Sequence, residues 1–495
     1  MRKKSTLSSL LLLAFIISSC SSLAPAPTVA PTILPTATAT ITPLPSATPT
    51  STPTPVPIME RAKYTLNTTI DYAAHTVKVD ETILYPNHTG NQLNALVLAV
   101  EPNRVIWQTG FTLSSVSIDG TPITTYTLDD QRMDIALNSL FLPEHVITIN
   151  IQYSLLLPVV EPNNPNISRP QIYGYTKRQM NLTNWYPFVV PYINGEWVLH
   201  KPWYYGEHLV YDSVDFEVNL KFADPATAPV VAASGLAEPQ ADFTRYTITA
   251  ARAFVISASP EFQVASLQVG DVTVSSYYFP SGKGGGDAVL QASAQAIQVF
   301  SQRYGPYPHK TLSIVMADFK DSMEFSGLFF HSPLYYEQYD GTFMNYLTFI
   351  GVHETAHQWW FEQVANDQAE QPWLDETLAT YSEHVYYENV YPDLVSKWWA
   401  YRVDFFNPQG FIDIPVYDAK GFEPYRVTVY LHGVHFMEDL RKRIGDDAFF
   451  AFLQDYLSQE RGKIATTNDF FHILNEHTKT DYSDIVRQYF QNVYQ

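Results

Sequence analysis

Two histidines with a glutamate between them form the most chemically specific stretch of the chain, His353-Glu354-Thr355-Ala356-His357. Side chains four residues apart lie one above the other on the same face of an α-helix, so both imidazoles can reach a single cation. In this His-Glu-x-x-His arrangement the histidines bind Zn²⁺ and the glutamate acts as a base on a water molecule. Five residues alone do not exclude a surface helix that carries two ordinary histidines.

A further acidic residue, Glu376, favours the metal site over the ordinary helix. It lies in the segment 373–381, and 18 residues (358–375) separate it from His357. A carboxylate on the next helix completes a set of two histidines and one glutamate, which leaves one coordination position open for water. The two elements together predict a catalytic metal site.

The composition suits a large folded protein with an acidic surface. The chain has 495 residues, of which 46% are apolar and 14% aromatic, and 50 acidic side chains outnumber 30 basic ones to give a formal charge of −20. Such a length suggests about three domains once non-globular segments are removed. The acidic balance argues against nucleic acid as a partner, because its phosphates would be repelled.

The N-terminus has the pattern of an export signal. Residues 2–4 are basic, and residues 10–17 form an apolar stretch too short for an ordinary spanning helix. The stretch ends at Cys20, the only cysteine of the chain, in a pattern that resembles the lipobox of bacterial lipoproteins. The alternative is a plain secretory signal with an incidental cysteine. We expect a signal peptide over 1–20, a lipid anchor at Cys20, and a location on the outer face of the bacterial cytoplasmic membrane or in the periplasm.

Two folded regions are predicted after a tether. Residues 21–57 are almost entirely Pro, Thr, Ala and Ser, which predicts an extended, disordered linker. Apolar residues alternate with polar ones between 58 and 265, as at 147–153 and 214–222, which predicts a β-rich domain. The remainder, 266–495, is predicted to be a mixed and mainly helical domain that contains the metal helices.

Several elements of the second domain can be placed in advance. The glycine-rich run 281–286 is expected to be a flexible connector, followed by a helix with Asp287 as its N-cap that runs to about Tyr304. Residues 312–317 are typical of a buried strand. Helices are expected over 434–444 and 448–457, with a final helix capped near Ser483.

The motifs together resemble the aminopeptidase N family of gluzincin metallopeptidases. That family combines Gly-x-Met-Glu-Asn, His-Glu-x-x-His, 18 residues, Glu, and a later Tyr-x-Lys-Gly. This chain has Asp-Ser-Met-Glu-Phe at 321–325 and Tyr-Leu-His-Gly at 430–433, in the same order around its metal motif. Segments 184–187, 195–197 and 440–450 are also similar to members of the family. The resemblance implies an α+β multidomain fold, with an N-terminal antiparallel β domain followed by a thermolysin-like mixed and α-helical zinc domain.

The resemblance also implies an activity and a metal set. It assigns His353, His357 and Glu376 to one Zn²⁺ and Glu354 to the general base of a peptide hydrolase. Zinc in such a site acts as a Lewis acid on a carbonyl and lowers the pKa of its water to about 7. The implied activity is that of an aminopeptidase, whose partners are peptides with a free N-terminus.

Three further residues receive roles from the resemblance. Tyr430 becomes the hydroxyl that stabilises the tetrahedral oxyanion, and Glu324 becomes the carboxylate that binds the substrate's α-amine. The strand beside Glu324 aligns the peptide main chain by strand addition. A second amine-binding residue of the family lies in the β domain, and Gln179 is the candidate, although its alignment requires a gap of one residue.

The departures from the family pattern leave other functions open. Asp321 and Phe325 stand where the family has Gly and Asn, His432 stands for Lys, and Thr377 stands for the Gly after the third ligand. An endopeptidase with the same metal chemistry but without effective amine capture is therefore one alternative. A peptide-binding lipoprotein that has lost turnover is another, and a purely structural lipoprotein would leave the four motifs unexplained.

Overall fold

The computed structural model describes residues 59–104, 110–160 and 172–494. All of them belong to one compact unit that starts at Pro57. The predicted signal peptide over 1–20, its Cys20 and the linker over 21–57 lie outside the described residues. Within the described ranges, no helix has the length and apolarity that crossing a lipid bilayer requires.

The first part of the described chain consists of β-strands. Burial alternates along the longer ones, as in Val146–Leu156 and Val214–Phe222, which confirms the predicted half-buried strands. The strands are β1 (Lys63–Asp71), β2 (Thr76–Pro86), β3 (Leu93–Ala99), β4 (Phe111–Ile118), β5 (Thr121–Pro122), β6 (Tyr126–Asp129), β7 (Arg132–Phe141), β8 (Val146–Leu156), β9 (Gly174–Tyr175), β10 (Met180–Leu182), β11 (Phe188–Val189), β12 (Tyr192–Ile193), β13 (Glu196–Trp197), β14 (Val214–Phe222), β15 (Val230–Ala233), β16 (Leu236–Pro239), β17 (Thr244–Ala251) and β18 (Ile256–Ser259).

An eight-stranded sheet is the main layer of this β region. Its order is β16-β17-β14-β1-β2-β8-β4-β5, and four-stranded sheets with the orders β11-β3-β7-β6 and β15-β18-β10-β9 accompany it. The strands pair in the antiparallel sense that the sequence predicts, except that β1 and β14 are parallel. The fold class predicted for this region is therefore confirmed, with one parallel pair added.

The second part is a sheet covered by helices. Its elements are β19 (Gln263–Val269), β20 (Val272–Tyr278), α1 (Lys283–Arg303), β21 (Thr311–Met316), β22 (Met323–Phe325), β23 (Leu328–His331), α2 (Pro333–Glu337), α3 (Tyr346–Ala356), β24 (Ala365–Asn366), α4 (Trp373–Val390), α5 (Val395–Trp398), α6 (Phe422–Tyr425), α7 (Gly433–Ile444), α8 (Asp446–Glu460), β25 (Ile464–Ala465), α9 (Thr467–His477) and α10 (Ser483–Tyr489). Two π-helical turns, Trp399–Val403 and Arg426–His432, interrupt the helical part. The sheet order is β19-β20-β21-β23-β22, so β22 is an edge strand.

The glycine-rich run is helical, and the expectation of a flexible connector was wrong. Helix α1 begins at Lys283 and includes the glycines, so Asp287 lies inside the helix and is not its N-cap. A Cβ on Gly285 would lie 2.8 Å from the ring of Tyr336, and one on Gly286 would lie 2.5 Å from the ring of Tyr278. The glycines are needed for close packing of two tyrosine rings, and this tertiary contact outweighs their low helix propensity.

One buried arginine joins the β region to the segment that follows the metal motif. The guanidinium of Arg252 donates to the carbonyls of Glu362 at 3.0 Å and Lys463 at 2.9 Å.

The domain boundary predicted at 265 falls inside strand β19. Strand β18 ends at Ser259, and β19 already belongs to the second sheet. The division into domains at 265 stays a prediction.

Candidate active site

The predicted metal ligands converge from two buried helices. Asn345 is the N-cap of helix α3, and its side chain accepts a hydrogen bond from the Thr348 amide. The helix carries His353 in its last turn, and His357 follows as its C-cap. His353 Nε2 lies 3.1 Å from His357 Nε2 and 3.2 Å from Glu376 Oε2 on α4. His357 Nε2 lies 3.5 Å from the same oxygen. The structure therefore brings all three predicted ligands together.

These separations fit a tetrahedral zinc ion. Zn²⁺ binds histidine nitrogen and carboxylate oxygen at roughly 2.0–2.2 Å, so ligand atoms at tetrahedral corners lie about 3.3–3.5 Å apart. The three atoms His353 Nε2, His357 Nε2 and Glu376 Oε2 span 3.1–3.5 Å. Two nitrogens and one oxygen, with a fourth corner left open, make up the donor set of catalytic zinc sites.

Hydrogen bonds on the far side of each imidazole orient its Nε2 toward the metal position. Nδ1 of His357 lies 3.0 Å from the carbonyl oxygen of Trp360, which can only accept, so this nitrogen carries the proton. Nδ1 of His353 lies 3.3 Å from a carboxylate oxygen of Glu383 and 3.4 Å from the hydroxyl of Thr380. Partners of this kind fix the tautomer of a ligand histidine and raise its basicity.

Glu383 and Arg402 form a supporting ion pair that the sequence reasoning missed. Arg402 donates to the two carboxylate oxygens of Glu383 at 2.8 and 2.9 Å, and both side chains are buried. Burial alone would raise the pKa of Glu383, but Arg402 and His353 outweigh this effect and hold that pKa below its usual value. The sequence did contain an indication that Glu383 faces the metal site. The spacing i, i+4, i+7 places Thr380 and Glu383 on the same helix face as the ligand Glu376.

The charge balance of the site also calls for a cation. Burial lowers the pKa of His357, but the facing carboxylates of Glu324 and Glu376 raise it well above the usual value. Burial raises the pKa of Glu376, and the two histidines outweigh this effect and hold it well below the usual value. The buried carboxylates of Glu324 and Glu376 thus place negative charge around the two imidazoles, which suits the binding of a cation there.

Two carboxylates that do not belong to the ligand set face the same space. Glu354 on α3 and Glu324 on the edge strand β22 each present a carboxylate oxygen, and these two oxygens and a nitrogen of His357 all lie within 4.8 Å of one another. Both glutamates are only 5% exposed. Burial, followed by the charge of Glu324, raises the pKa of Glu354 well above its usual value. Among the described residues, Glu354 Oε2 has no hydrogen-bond partner.

Tyr430 closes another side of the metal position. It lies in the π-helical turn Arg426–His432, and its hydroxyl donates to Glu376 Oε1. Its ring lies nearly parallel to that of His353, with 5.8 Å between the ring centroids and 7° between the planes. Burial raises the pKa of Tyr430 well above its usual value, and the charge of Glu376 adds to this effect. The hydroxyl therefore keeps its proton and remains a donor.

Gln179 makes its contacts away from this cluster. Its amide nitrogen donates to the Ser257 hydroxyl and to the Met316 carbonyl, both at 3.2 Å, and its oxygen accepts from the Asp318 amide at 2.6 Å. These bonds join β10 to β18 and to the end of β21. The residue that does touch Glu324 is Gln368, which the sequence reasoning did not single out. An amine-binding role for Gln179 stays a prediction.

Two of the positions that depart from the family motif, Phe325 and Thr377, are closely packed. Phe325 is buried against Phe330, with a centroid distance of 6.1 Å. Thr377 lies where α4 approaches α7, and a Cβ on Gly433 would lie 2.0 Å from its hydroxyl. Helix α7 can therefore start beside Thr377 only with glycine at 433.

Comparisons with known proteins agree with this geometry. A profile described as "Peptidase family M1 domain" matches residues 289–489. Human endoplasmic reticulum aminopeptidase 1 is 26% identical over 273 residues, which cover 52% of this chain and 29% of that protein. Aminopeptidase 2 of Candida albicans is 24% identical over 239 residues, which cover 45% of this chain and 26% of that protein. The chain thus spans less than a third of the length of these curated relatives.

A solved structure matches most of the chain. The M1 zinc metallopeptidase from Deinococcus radiodurans matches with a TM-score of 0.61 at 18% identity, over 88% of this chain and 96% of that chain. Such a likeness at low identity establishes the fold, in which antiparallel sheets precede a helical zinc domain. Residues 289–489 therefore carry a peptidase M1 domain, in agreement with the resemblance to the aminopeptidase N gluzincins, and the chain has the fold of a two-domain M1 metallopeptidase.

Proposed function

We propose that the chain is a zinc aminopeptidase that releases residues from the free N-terminus of peptides. The observation that carries the proposal is the position of Glu324. This buried carboxylate belongs to neither the ligand set nor a salt bridge among the described residues, and it lies within 4.8 Å of Glu354 and His357. A buried negative charge at this place can bind the α-ammonium group of a substrate.

The remaining residues supply the hydrolytic steps. When bound by His353, His357 and Glu376, Zn²⁺ supplies Lewis-acid polarisation of the scissile carbonyl and acidifies water. Glu354 accepts a proton from the attacking water and later donates it to the leaving amine. Its raised pKa suits a group that must hold that proton between the two steps. A cation at the neighbouring metal position would lower the pKa of Glu354 again, so that its carboxylate could accept the proton.

The substrate main chain has a place to bind beside these groups. Strand β22 pairs antiparallel with β23 on one side, and as the edge strand it has no strand on its other side within the described residues. A peptide that adds to this edge as a further strand would bring its N-terminus to Glu324. The hydroxyl of Tyr430 would then donate to the oxyanion that develops on the substrate carbonyl.

The relatives support the same class of substrate. The curated relatives are named aminopeptidases. A mutant of the Deinococcus radiodurans enzyme has been solved with a Tyr-Ser-Ala substrate. Mutants of a two-domain M1 metallopeptidase have been solved with L-tryptophan and with L-arginine. Short peptides with a free amine are therefore the substrates to test first.

An endopeptidase is the second candidate, because Asp321 and Phe325 alter the amine-binding motif. A peptide-binding protein without turnover is the third. The test is hydrolysis of a panel of aminoacyl chromogenic amides, with and without N-terminal acetylation, by zinc-loaded chain. Glu354→Gln and Glu324→Ala serve as variants.

The three candidates predict different results in this test. The aminopeptidase cleaves only free-amine substrates, loses activity in Glu354→Gln, and binds substrate more weakly in Glu324→Ala. Equal cleavage of acetylated and free substrates would establish the endopeptidase instead. Absence of cleavage by zinc-loaded protein would leave only the binding protein.

The proposal includes an anchored location for the enzyme. Support comes from the basic and apolar residues of 1–17 and from Cys20 as the only cysteine. A lipid at Cys20 and a linker over 21–57 would hold the enzyme near the outer face of the cytoplasmic membrane, or in the periplasm. The test is fractionation of cells that express the wild-type chain or Cys20→Ser. Recovery of the wild type with membranes and of the variant in the soluble exported fraction supports the anchor, and identical distributions contradict it.

A further inference from the structure

Gln368 holds the carboxylate of Glu324 in place. It lies in the segment between β24 and α4 and is 2% exposed. Its amide nitrogen donates to Glu324 Oε1 at 3.2 Å and to Asp375 Oδ2 at 2.8 Å. One side-chain amide thus uses both of its protons to join the edge strand β22 to the first turn of α4.

Asp375, the second acceptor, is itself fixed by two donors. Its Oδ1 accepts from the Asn366 side chain at 3.1 Å and from the Glu376 amide at 2.9 Å. Asp375 is fully buried, so it cannot exchange these partners for water. Gln368 therefore connects Glu324 to the helix turn that carries the metal ligand Glu376.

Electrostatics explains why an uncharged donor is suited to this position. The carboxylates of Glu324 and Glu354 present oxygens within 4.8 Å of each other and repel, so Glu324 needs a hydrogen-bond donor to keep its carboxylate at this place. A lysine or arginine could hold Glu324, but it would also neutralise the charge that an ammonium group needs. The Gln368 amide donates one hydrogen bond and leaves the charge of Glu324 intact.

We propose that Gln368 is a positioning residue for recognition of the substrate's α-ammonium group, an inference that rests on the proposed aminopeptidase function. By holding Glu324 Oε1, it leaves Oε2 for the ammonium. Through Asp375 it fixes the distance between the bound amine and the metal position. That distance determines which peptide bond reaches the metal, so Gln368 favours cleavage after the first residue.

The test compares Gln368→Met with wild type, because methionine has a similar volume and no donor. The two probes are a free-amine aminoacyl hydroxamate and its N-acetyl counterpart, whose binding to zinc-loaded protein is measured by calorimetry without turnover. We expect the variant to bind the free-amine probe roughly ten- to a hundredfold more weakly, since a hydrogen bond to a charged group is lost. Binding of the acetylated probe and the zinc content should be unchanged. With cleavable aminoacyl amides, KM should rise more than kcat falls.

Two controls separate positioning from a general structural effect. Gln363→Met removes another buried amide, five residues earlier in the chain, which donates to the Gln358 carbonyl, and it should leave the ratio of the two affinities unchanged. In a Glu324→Ala background, Gln368→Met should cause no further loss.

Three outcomes would overturn the inference. These are equal weakening of both probes by Gln368→Met, a full effect of Gln368→Met in the Glu324→Ala background, and no preference of the wild type for the free amine. Because the readout is binding, the two proposals can fail separately. If the wild type cleaves nothing but prefers the free-amine probe, and Gln368→Met reduces that preference, the proposed function is contradicted while the role of Gln368 is supported.

Discussion

The hydroxyl of Tyr430 donates to Glu376 beside the metal position, with its ring against His353. We predict that Tyr430→Phe lowers kcat by ~10²–10³, because the hydroxyl that would turn from Glu376 to the oxyanion is lost while the ring contact remains. The measurement is steady-state hydrolysis of a free-amine aminoacyl amide, with zinc content determined on the same samples. Tyr417→Phe, which removes a hydroxyl bonded to the Lys201 carbonyl, should leave kcat near the wild-type value. Unchanged kcat in Tyr430→Phe would exclude the donor role.

The contact between Glu383 and His353 leads to a second prediction, which concerns zinc affinity. Glu383→Gln keeps the size of the side chain and removes the charge that faces His353 Nδ1 at 3.3 Å. Zinc affinity should fall by about 10- to 100-fold, as is usual when a partner of a ligand histidine is changed. Competition with a chromogenic chelator measures this affinity directly.

A matched control for Glu383 exists on the same helix. Glu388 also pairs with an arginine, Arg441, at 2.7 Å, and that pair has no described contact with a metal ligand. Glu388→Gln should therefore bind zinc as the wild type does. Equal losses in Glu383→Gln and Glu388→Gln would mean that general destabilisation, and not ligand orientation, controls metal affinity.

The sequence indicated which residues would lie together at the candidate site better than it indicated the residues that support them. His353, His357 and Glu376 have the spacings that metal coordination requires, and in the family pattern Glu324 precedes them and Tyr430 follows them. Supporting residues follow no such rule, because any donor at the right place in space can serve. Gln368 touches Glu324 across 44 positions of sequence, and nothing local to either residue indicates this contact.

At the scale of elements, the approach of α7 to α4 depends on one glycine. Gly433→Ala would place a Cβ 2.0 Å from the Thr377 hydroxyl, so the two helices would have to separate. We predict a loss of ~1–3 kcal/mol in the free energy of unfolding, which is usual for overpacking. Chemical denaturation of the variant measures this loss.

Two further variants test the cause of that loss. Thr377→Gly should make Gly433→Ala less harmful than in the wild-type background, because the clashing side chain is gone. Gly284→Ala on α1 is the control, since its Cβ would meet only the Tyr339 ring at 4.0 Å, and it should be neutral or stabilising. Additive effects at 433 and 377 would contradict the proposed contact.

The periodicity of apolar residues predicted which segments are strands and which are helices, and the exception is explained by tertiary contacts. The strands at 146–156 and 214–222 and the helix that starts at Gly433 agree with the patterns of burial that their sequences predict. The run 284–286 does not, because Gly285 and Gly286 make room for the rings of Tyr336 and Tyr278, which approach from α2 and from the end of β20. Local propensity contains no information on such contacts.

At the scale of the molecule, the core of the β region contains an unpaired acid. Glu81 on β2 is fully buried, and among the described residues neither of its carboxyl oxygens has a hydrogen-bond partner. Burial raises the pKa of Glu81 well above the usual 4.5. The folded state thus holds a proton that the unfolded chain releases near pH 4.5, so stability falls as pH rises from there toward the folded pKa.

Glu81→Gln should remove this contribution to the pH dependence. Relative to the variant, the wild type should lose up to ~1.4 kcal/mol of unfolding free energy per pH unit above about pH 5. Denaturant titrations between pH 5 and 8 measure the difference. Asp80 is an exposed neighbour on the same strand, so Asp80→Asn should show the same pH dependence of the unfolding free energy as the wild type. Parallel pH profiles for the wild type and Glu81→Gln would contradict the account.

The order of the two regions could be predicted from the sequence, but their internal arrangement could not. Period-two patterns come before the metal motif, and this order alone predicts a β region followed by a zinc domain. The parallel pairing of β1 with β14 joins strands about 150 residues apart, for example Lys63 with Asp215. Many strands share the same alternation, so the sequence does not indicate which of them become neighbours.

The most direct test of the account is product analysis on a mixed peptide supplied in free and N-acetylated forms to zinc-loaded chain. Mass spectrometry follows the products over time. The account predicts that the free peptide loses one residue at a time from its N-terminus, that the acetylated peptide stays intact, and that Glu354→Gln cleaves neither. Internal fragments from both peptides, or no cleavage of either by the wild type, would contradict it.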